Sequence, residues 1–241
     1  LVFVGAGGTL RPGALVALGA TLDHTGADLL TVFPRQRTPT LGERLLTPLV
    51  DAAFIGHLPA VLMRTPIGLT AANGQVMAFR REAYDAAGGH EAVRGAVVED
   101  LALADRTRRA GGSVVVALGG DAVEVRMYDG YRSGVAGFAK SARGVHGDSR
   151  PLLVGSALWF LMTYTLPWLL PATPLVRAAR LAGLADRACV NAITGRTAPA
   201  DLAEGLLGPI TPLLALPVYW RALRRPPQWK GRSYPAEGVS A

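Results

Sequence analysis

Cysteine, histidine and charge are all scarce in this chain. A single thiol, Cys189, excludes a disulfide framework and any zinc cluster built on cysteine. The four histidines, His24, His57, His90 and His146, never fall four residues apart, so no zincin-like pair is present. Charged side chains make up only 18% of the sequence, half of it is apolar, and the mean hydropathy is +0.27. These values exclude a disordered or low-complexity chain and are unusual for a purely soluble domain. The length of 241 residues leaves room for one or two domains.

Charge is unevenly spread. Residues 1–150 hold 16 Lys/Arg against 14 Asp/Glu, whereas residues 151–241 hold 9 against 4. The basic residues border long apolar runs and are not interleaved with exposed aromatics. That pattern fits a membrane surface rather than a nucleic acid.

From Pro151 to Val176 there are 26 consecutive residues without formal charge, more than the roughly 20 needed to cross the hydrocarbon core. Trp159, Tyr164 and Trp168 add amphipathic aromatics to this run, and Pro167 predicts a kink. A second uncharged run, Gly205–Trp220, is 16 residues long and contains Pro209, Pro212 and Pro217. Between them, Arg177, Arg180, Asp186, Arg187 and Arg196 make residues 177–200 a poor spanning segment, since charge at a helix centre opposes insertion; an interfacial helix or a degenerate span is expected there. Arg143 and Arg150 precede the first run, and Arg221, Arg224, Arg225, Lys230 and Arg232 follow the second. Both flanks therefore prefer the cytoplasm, which predicts a two-span hairpin in the inner membrane with the first 150 residues cytoplasmic.

Those first 150 residues alternate between strand-like and helix-like segments. Strands are expected at Leu1–Val4, Leu29–Phe33, Gln75–Phe79, Ser113–Leu118 and Val123–Met127. Helices are expected from Arg11 to about Leu22, over Arg80–Ala87 closed by Gly88-Gly89, and over Glu99–Ala110 closed by Gly111-Gly112. Leu41–Leu62 reads as an amphipathic helix lying on a membrane or on the domain face. Such alternation predicts an α/β domain with a mainly parallel sheet. The chain opens inside a strand without an initiator Met, which reads as a fragment whose earlier part is missing.

Four groups of residues could carry chemistry. Glu99-Asp100 opens a helix, where carboxylates are favoured by the dipole whether or not one is a general base beside a pocket. Asn73-Gly74-Gln75 offers two amides and a close backbone approach to a polyhydroxylated substrate, and is equally a plain turn. Gly5-Ala6-Gly7-Gly8 follows a strand but lacks the rest of any phosphate-loop motif. Lys140 and Arg143 could neutralise a diphosphate or anchor the chain at the bilayer.

Taken in order, FVGAGGTLRPGAL, ADLLTVFPRQ, LGERLLTPL, AANGQVMAFRREAYDAAGGHEAVRG, VVEDLALADRTRRAGG, VEVRMYDGY and QWKGRSY resemble glycosyltransferase family 2, in its membrane-anchored branch associated with hopanoid biosynthesis or carotenoid glycosylation. The resemblance implies part of a GT-A fold over residues 1–150, a membrane region of helices over 151–224 and a basic cytoplasmic tail over 225–241. It implies a nucleotide-diphospho-sugar donor, a lipid-like acceptor, a divalent cation and inversion at the anomeric carbon. Asp100 matches the catalytic base and Glu99 its helper, Asn73, Gly74 and Gln75 line the acceptor side, and Lys140 and Arg143 fall near a diphosphate-binding motif. Gly5 and Gly7 stand where the family carries its metal-binding Asp-x-Asp, so the metal ligands are missing. A catalytically degenerate, membrane-bound scaffold is the alternative that this departure raises.

Overall fold

The computed structural model describes residues 1–57 and 71–224, with the backbone of 228–229 and 232–233. Elements follow in chain order. They begin with β1 (Val2–Val4), β2 (Gly8–Leu10), α1 (Ala14–Thr25), β3 (Leu29–Phe33), β4 (Arg35–Gln36), α2 (Leu41–Leu46) and α3 (Leu49–Asp51), which runs into a π-helical turn, Ala52–Gly56. Next come β5 (Val76–Phe79), α4 (Arg81–Ala86), α5 (Glu99–Arg109), β6 (Val114–Leu118), β7 (Val123–Val125) and α6 (Tyr131–Val145). The last third is helical: α7 (Arg150–Leu169, with a π-helical stretch at Leu161–Thr165), α8 (Pro174–Ile193), α9 (Pro199–Leu202) and α10 (Thr211–Arg224).

The main sheet has the order β1-β5-β3-β6, and a smaller one has the order β2-β7-β4. Strand β3 is buried along its whole length, which explains its unbroken apolar run. Leu30 and Val32 join Leu18 of α1 on one face, while Leu29 joins Phe79, Leu103 and Ala104 on the face covered by α5. Two helical layers thus enclose the sheet, and burying the leucine, valine and phenylalanine side chains contributes on the order of 1.5–3 kcal/mol each.

The sheet is mixed rather than mainly parallel. Strand β3 pairs in parallel with β6 but antiparallel with β5, and β5 is antiparallel to β1. The reason lies in the connections. Helix α5 runs back along the sheet, so β6 starts from the same end as β3. Helices α2 and α3 stay at the far end, packed on the C-terminal helices, so β5 starts there and returns.

Most strand and helix positions agree with expectation to within a few residues. The expected helix from Arg11 starts at Ala14, because Arg11 caps the small sheet: its guanidinium reaches Glu124 at 2.9 Å and its amide donates to Ala122. The expected helix over 41–62 is broken. Thr40 closes a capping box with Glu43, and Pro48 starts a new turn, so α2 and α3 are separate short pieces. Residues 58–62 lie outside the described residues, as do the side chains of the basic tail from Arg225 onward.

Among the described residues one helix, α7, is long and apolar enough to cross a membrane. The second apolar run is not a straight helix. It breaks near Pro209, and the two pieces, Pro199–Leu207 and Thr211–Arg224, meet at 74°. Helix α8 buries one side and leaves Leu175, Arg177, Leu181 and Ile193 exposed on the other. Helix α8 buries Arg187 and Asn191, and these join a network that fastens the C-terminal helices to the sheet domain.

Glu204, 4% exposed, is the hub of that network. It accepts from Arg196 at 2.6 Å, Arg44 at 3.0 Å, Asn191 at 3.0 Å and Arg187 at 3.3 Å. Arg196 also reaches Thr38 and Asp201, both at 2.9 Å, so Thr38 and Arg44 of the sheet domain share partners with α8 and α9. A second tie is a hydrogen-bonded chain. The Tyr164 hydroxyl donates to Asp186 at 2.7 Å, which leaves His57 Nε2 to donate to Tyr164 at 2.5 Å.

Candidate functional site

A cavity of about 530 Å³ opens where β1, β3 and β7 end and β5 begins. Ligands in α/β domains collect at this kind of strand edge. Its floor is the apolar side of α3 and α10, and its walls carry the polar groups.

Asp100 stands on one wall because α5 begins at Glu99 and turns its first residues toward the cavity. Its Oδ2 accepts the amide of Gly74 at 2.7 Å, and its Oδ1 accepts the amide of Leu101 at 2.8 Å. Burial raises its pKa above the ordinary carboxylate value. The Leu101 and Gly74 amides oppose that shift, and the neighbouring Glu99 charge adds to it. Glu99 is exposed at the rim of the cavity.

The loop ahead of β5 adjoins Asp100 along the same cavity. Asn73 Oδ1 accepts the amide of Gln75 at 3.0 Å, an Asx-type turn, so its acceptor is spent on holding the loop. The backbone of Asn73 is itself pinned by the Thr31 hydroxyl of β3, which accepts from its amide at 2.8 Å. Gly74 sits close to the carboxylate: a Cβ there would lie 3.2 Å from Asp100 Cβ and Oδ2, a tight contact. The Gln75 Oε1 is buried without a hydrogen-bond partner among the described residues.

Lys140 of α6 also lines the cavity. Burial lowers its pKa, and the carboxylates of Glu99 and Asp100 counteract that. Thus six of the seven expected site residues, Asn73, Gly74, Gln75, Glu99, Asp100 and Lys140, share one hollow. Arg143 does not. It pairs with Asp148 at 3.4 Å, because the chain reverses through Gly147 and Asp148 at positive φ and brings that carboxylate back onto α6.

Arg126 was not foreseen. It follows β7, lines the cavity next to Gly5, Ala6 and Gly7, and donates its backbone amide to Gly7 O at 3.4 Å. Its guanidinium holds Glu43 Oε1 through Nε at 2.9 Å and Nη2 at 2.8 Å. Against the cost of burial, the Thr40 amide and Arg126 keep the Glu43 pKa low. The signal in the sequence was slight: one arginine ending the Val-Glu-Val strand.

The chemistry of the residues does not match a divalent cation at Gly5–Gly7. Neither glycine offers a ligand atom beyond its backbone, and a Cβ at Gly5 would lie 2.6 Å from Gln75 Oε1. Among the described residues no group of three or more His, Cys, Asp or Glu side chains could hold a metal ion.

A cavity bordered by a helix-mounted carboxylate on one side and basic groups on another suits group transfer from an anionic donor. Residues 9–127, just under half of the chain, match the model of a family described as glycosyl transferase family 21, which supports a glycosyltransferase acting with a nucleotide-sugar donor and an acceptor. The matching family is 21, whereas the sequence resemblance pointed to family 2, and the hopanoid or carotenoid branch gains nothing from the match. The matched stretch contains Asn73–Gln75, Glu99, Asp100 and Arg126, and it excludes Gly5–Gly7, Lys140 and Arg143. No curated protein and no solved structure matches the chain.

Proposed function

We propose that this protein is an inverting glycosyltransferase with a GT-A-type sheet domain, which moves a sugar from a nucleotide-diphospho-sugar to a lipid-like acceptor at the cytoplasmic face of the inner membrane. The observation that carries the reading is Asp100, a carboxylate held by two backbone amides at the wall of a cavity large enough for a hexose. In this mechanism Asp100 takes the proton from the acceptor hydroxyl as that oxygen attacks the anomeric carbon. The bond from that carbon to the diphosphate breaks, and its electron pair leaves with the phosphate. The raised proton affinity that burial gives Asp100 suits a base, and base catalysis of this kind typically contributes about 10²–10⁴-fold.

Support for an apolar acceptor comes from a second cavity of about 80 Å³, almost wholly apolar, between α3 and helices α7, α8 and α10. It shares Leu49, Ala53, Ala215 and Tyr219 with the larger one, so a hydroxyl at Asp100 could belong to a molecule whose hydrocarbon lies toward α7. Most of the large apolar side chains left exposed lie between Leu152 and Trp220, which suits a bilayer against that side. We take residues 151–224 as the membrane region, with α7 as one span and the bent pair as the other.

The test is Asp100→Asn in the full chain reconstituted in lipid, supplied with nucleotide sugars and a lipid extract as acceptor. Transfer should be lost while the helical circular dichroism and membrane insertion stay. Gly5 and Gly7 favour a second reading, a degenerate scaffold; it predicts no transfer by either chain.

A further inference from the structure

We infer that Arg126, together with Lys140, binds the donor's diphosphate in this protein without a divalent cation. The inference rests on the donor class proposed above and adds which side chains take its charge.

The place where carboxylates would hold a metal offers no ligand atom beyond its backbone and is closely bordered by its neighbours. A Cβ at Gly5 would lie 2.6 Å from Gln75 Oε1 and 3.3 Å from Gln75 Cα, and one at Gly7 would lie 3.0 Å from the carbonyl of Arg126. The loop is closed down onto its neighbours, and the residue whose backbone closes it brings a guanidinium to the same wall. That guanidinium is not a loose surface charge. Glu43, 1% exposed, holds Nε and Nη2 of Arg126 on one oxygen, while its other oxygen accepts the Thr40 amide at 2.8 Å in the capping box of α2. The side chain of Arg126 is nevertheless 47% exposed and lines the cavity. With Nε and Nη2 held by Glu43, this fixed guanidinium still has its Nη1 hydrogens and the second Nη2 hydrogen to donate to phosphate oxygens.

Lys140 adds a second cation on α6, within the electrostatic reach of Glu99 and Asp100. An anion close to those carboxylates would be repelled. A diphosphate at the Gly5–Gly7 wall, drawn by Arg126 and shielded from α5 by Lys140, avoids that repulsion. It leaves the sugar between the two walls, with Asp100 on the acceptor side.

The probe is inorganic pyrophosphate, titrated calorimetrically into the full chain in detergent, first with excess EDTA and then with excess Mn²⁺. Binding in EDTA is expected, changed less than about threefold by Mn²⁺, and weakened about tenfold or more by Arg126→Ala. Since that variant strands Glu43, the pair Arg126→Ala with Glu43→Gln is measured alongside, and it should melt near the parent temperature with the same loss of affinity. Lys140→Ala should weaken binding less than Arg126→Ala. Binding that requires Mn²⁺, binding in EDTA that survives the paired variant, or no binding in either buffer would overturn the inference. Mn²⁺-dependent binding beside Asp100-dependent transfer would sink this inference and leave the proposed function standing. Metal-free binding that depends on Arg126, in a chain that transfers no sugar, would do the reverse.

Discussion

Asp100 and Gly74 are joined at the edge of the cavity: the carboxylate Oδ2 accepts the glycine amide at 2.7 Å, although 26 residues separate them. The bond locks the start of α5 to the loop ahead of β5. It orients a candidate base through backbone amides, and burial keeps the proton affinity of that carboxylate raised.

That closeness makes Gly74→Ala a probe of positioning. The new methyl would press on Asp100 at 3.2 Å, and the carboxylate must give by a few tenths of an ångström. Transfer should fall by about tenfold or more, since small misplacements at a reacting centre are costly, while the melting temperature moves little. An unchanged rate would show that Asp100 need not sit where it does.

The rate should also depend on pH in one direction. A base works deprotonated, and burial places the pKa of Asp100 above its ordinary value. The acid limb of kcat/KM should therefore lie at higher pH than for a solvated aspartate, with activity rising as pH rises through it. A pH–rate profile measured on saturating and limiting donor checks this.

Asp51 governs stability in the opposite sense to a salt-bridged carboxylate. It is fully buried, neither oxygen has a hydrogen-bond partner among the described residues, and burial pushes its pKa to about 7 against the opposing influence of Gln36 and Arg196. The folded state therefore holds this proton more tightly than the unfolded chain does. The contribution is complete below the ordinary aspartate value and is lost as pH rises toward and through about 7. Asp51→Asn should remove that loss and stabilise the protein at pH 8, by on the order of 4 kcal/mol at most. Denaturant titrations of both chains at pH 5 and pH 8 measure it.

The Glu204 hub predicts strong non-additivity. Glu204→Met alone takes from Arg187, about 3% exposed, its carboxylate partner and from Arg196 one of two, and should destabilise by about 3–5 kcal/mol. Adding Arg187→Met should recover part of that loss, because the second substitution removes the stranded charge. A double-mutant cycle by thermal melting in detergent decides it, and additive losses would mean that the pair is not coupled.

Trp159 and Trp220 are 59% and 56% exposed on the apolar side of the C-terminal helices. In vesicles containing brominated acyl chains the tryptophan fluorescence should be quenched strongly, and Trp159→Phe should remove a measurable part of the quenching. Emission untouched by bromine would place this side in water.

Much of this protein was determined by its sequence. Period and punctuation located β3, β5, α4, α5 and β6, because a buried strand must be apolar on both faces and glycine ends helices where φ turns positive, as Gly88 and Gly111 do. The uncharged run coincides with the helix Arg150–Leu169, whose apolar side chains are mostly exposed. Tertiary structure alone decided the rest. Whether β5 returns antiparallel depends on where α2 and α3 pack, and no local pattern encodes that. Arg187 and Arg196 read as charges fit only for an interface, yet Glu204 and Asp201 arrive from a later segment to make them core. Arg126 became a cavity residue, and Arg143 did not, through partners brought from 83 residues before the one and by the chain reversal just after the other. Local sequence sets what a segment prefers; the place of a charge is set by whichever distant group pays its desolvation.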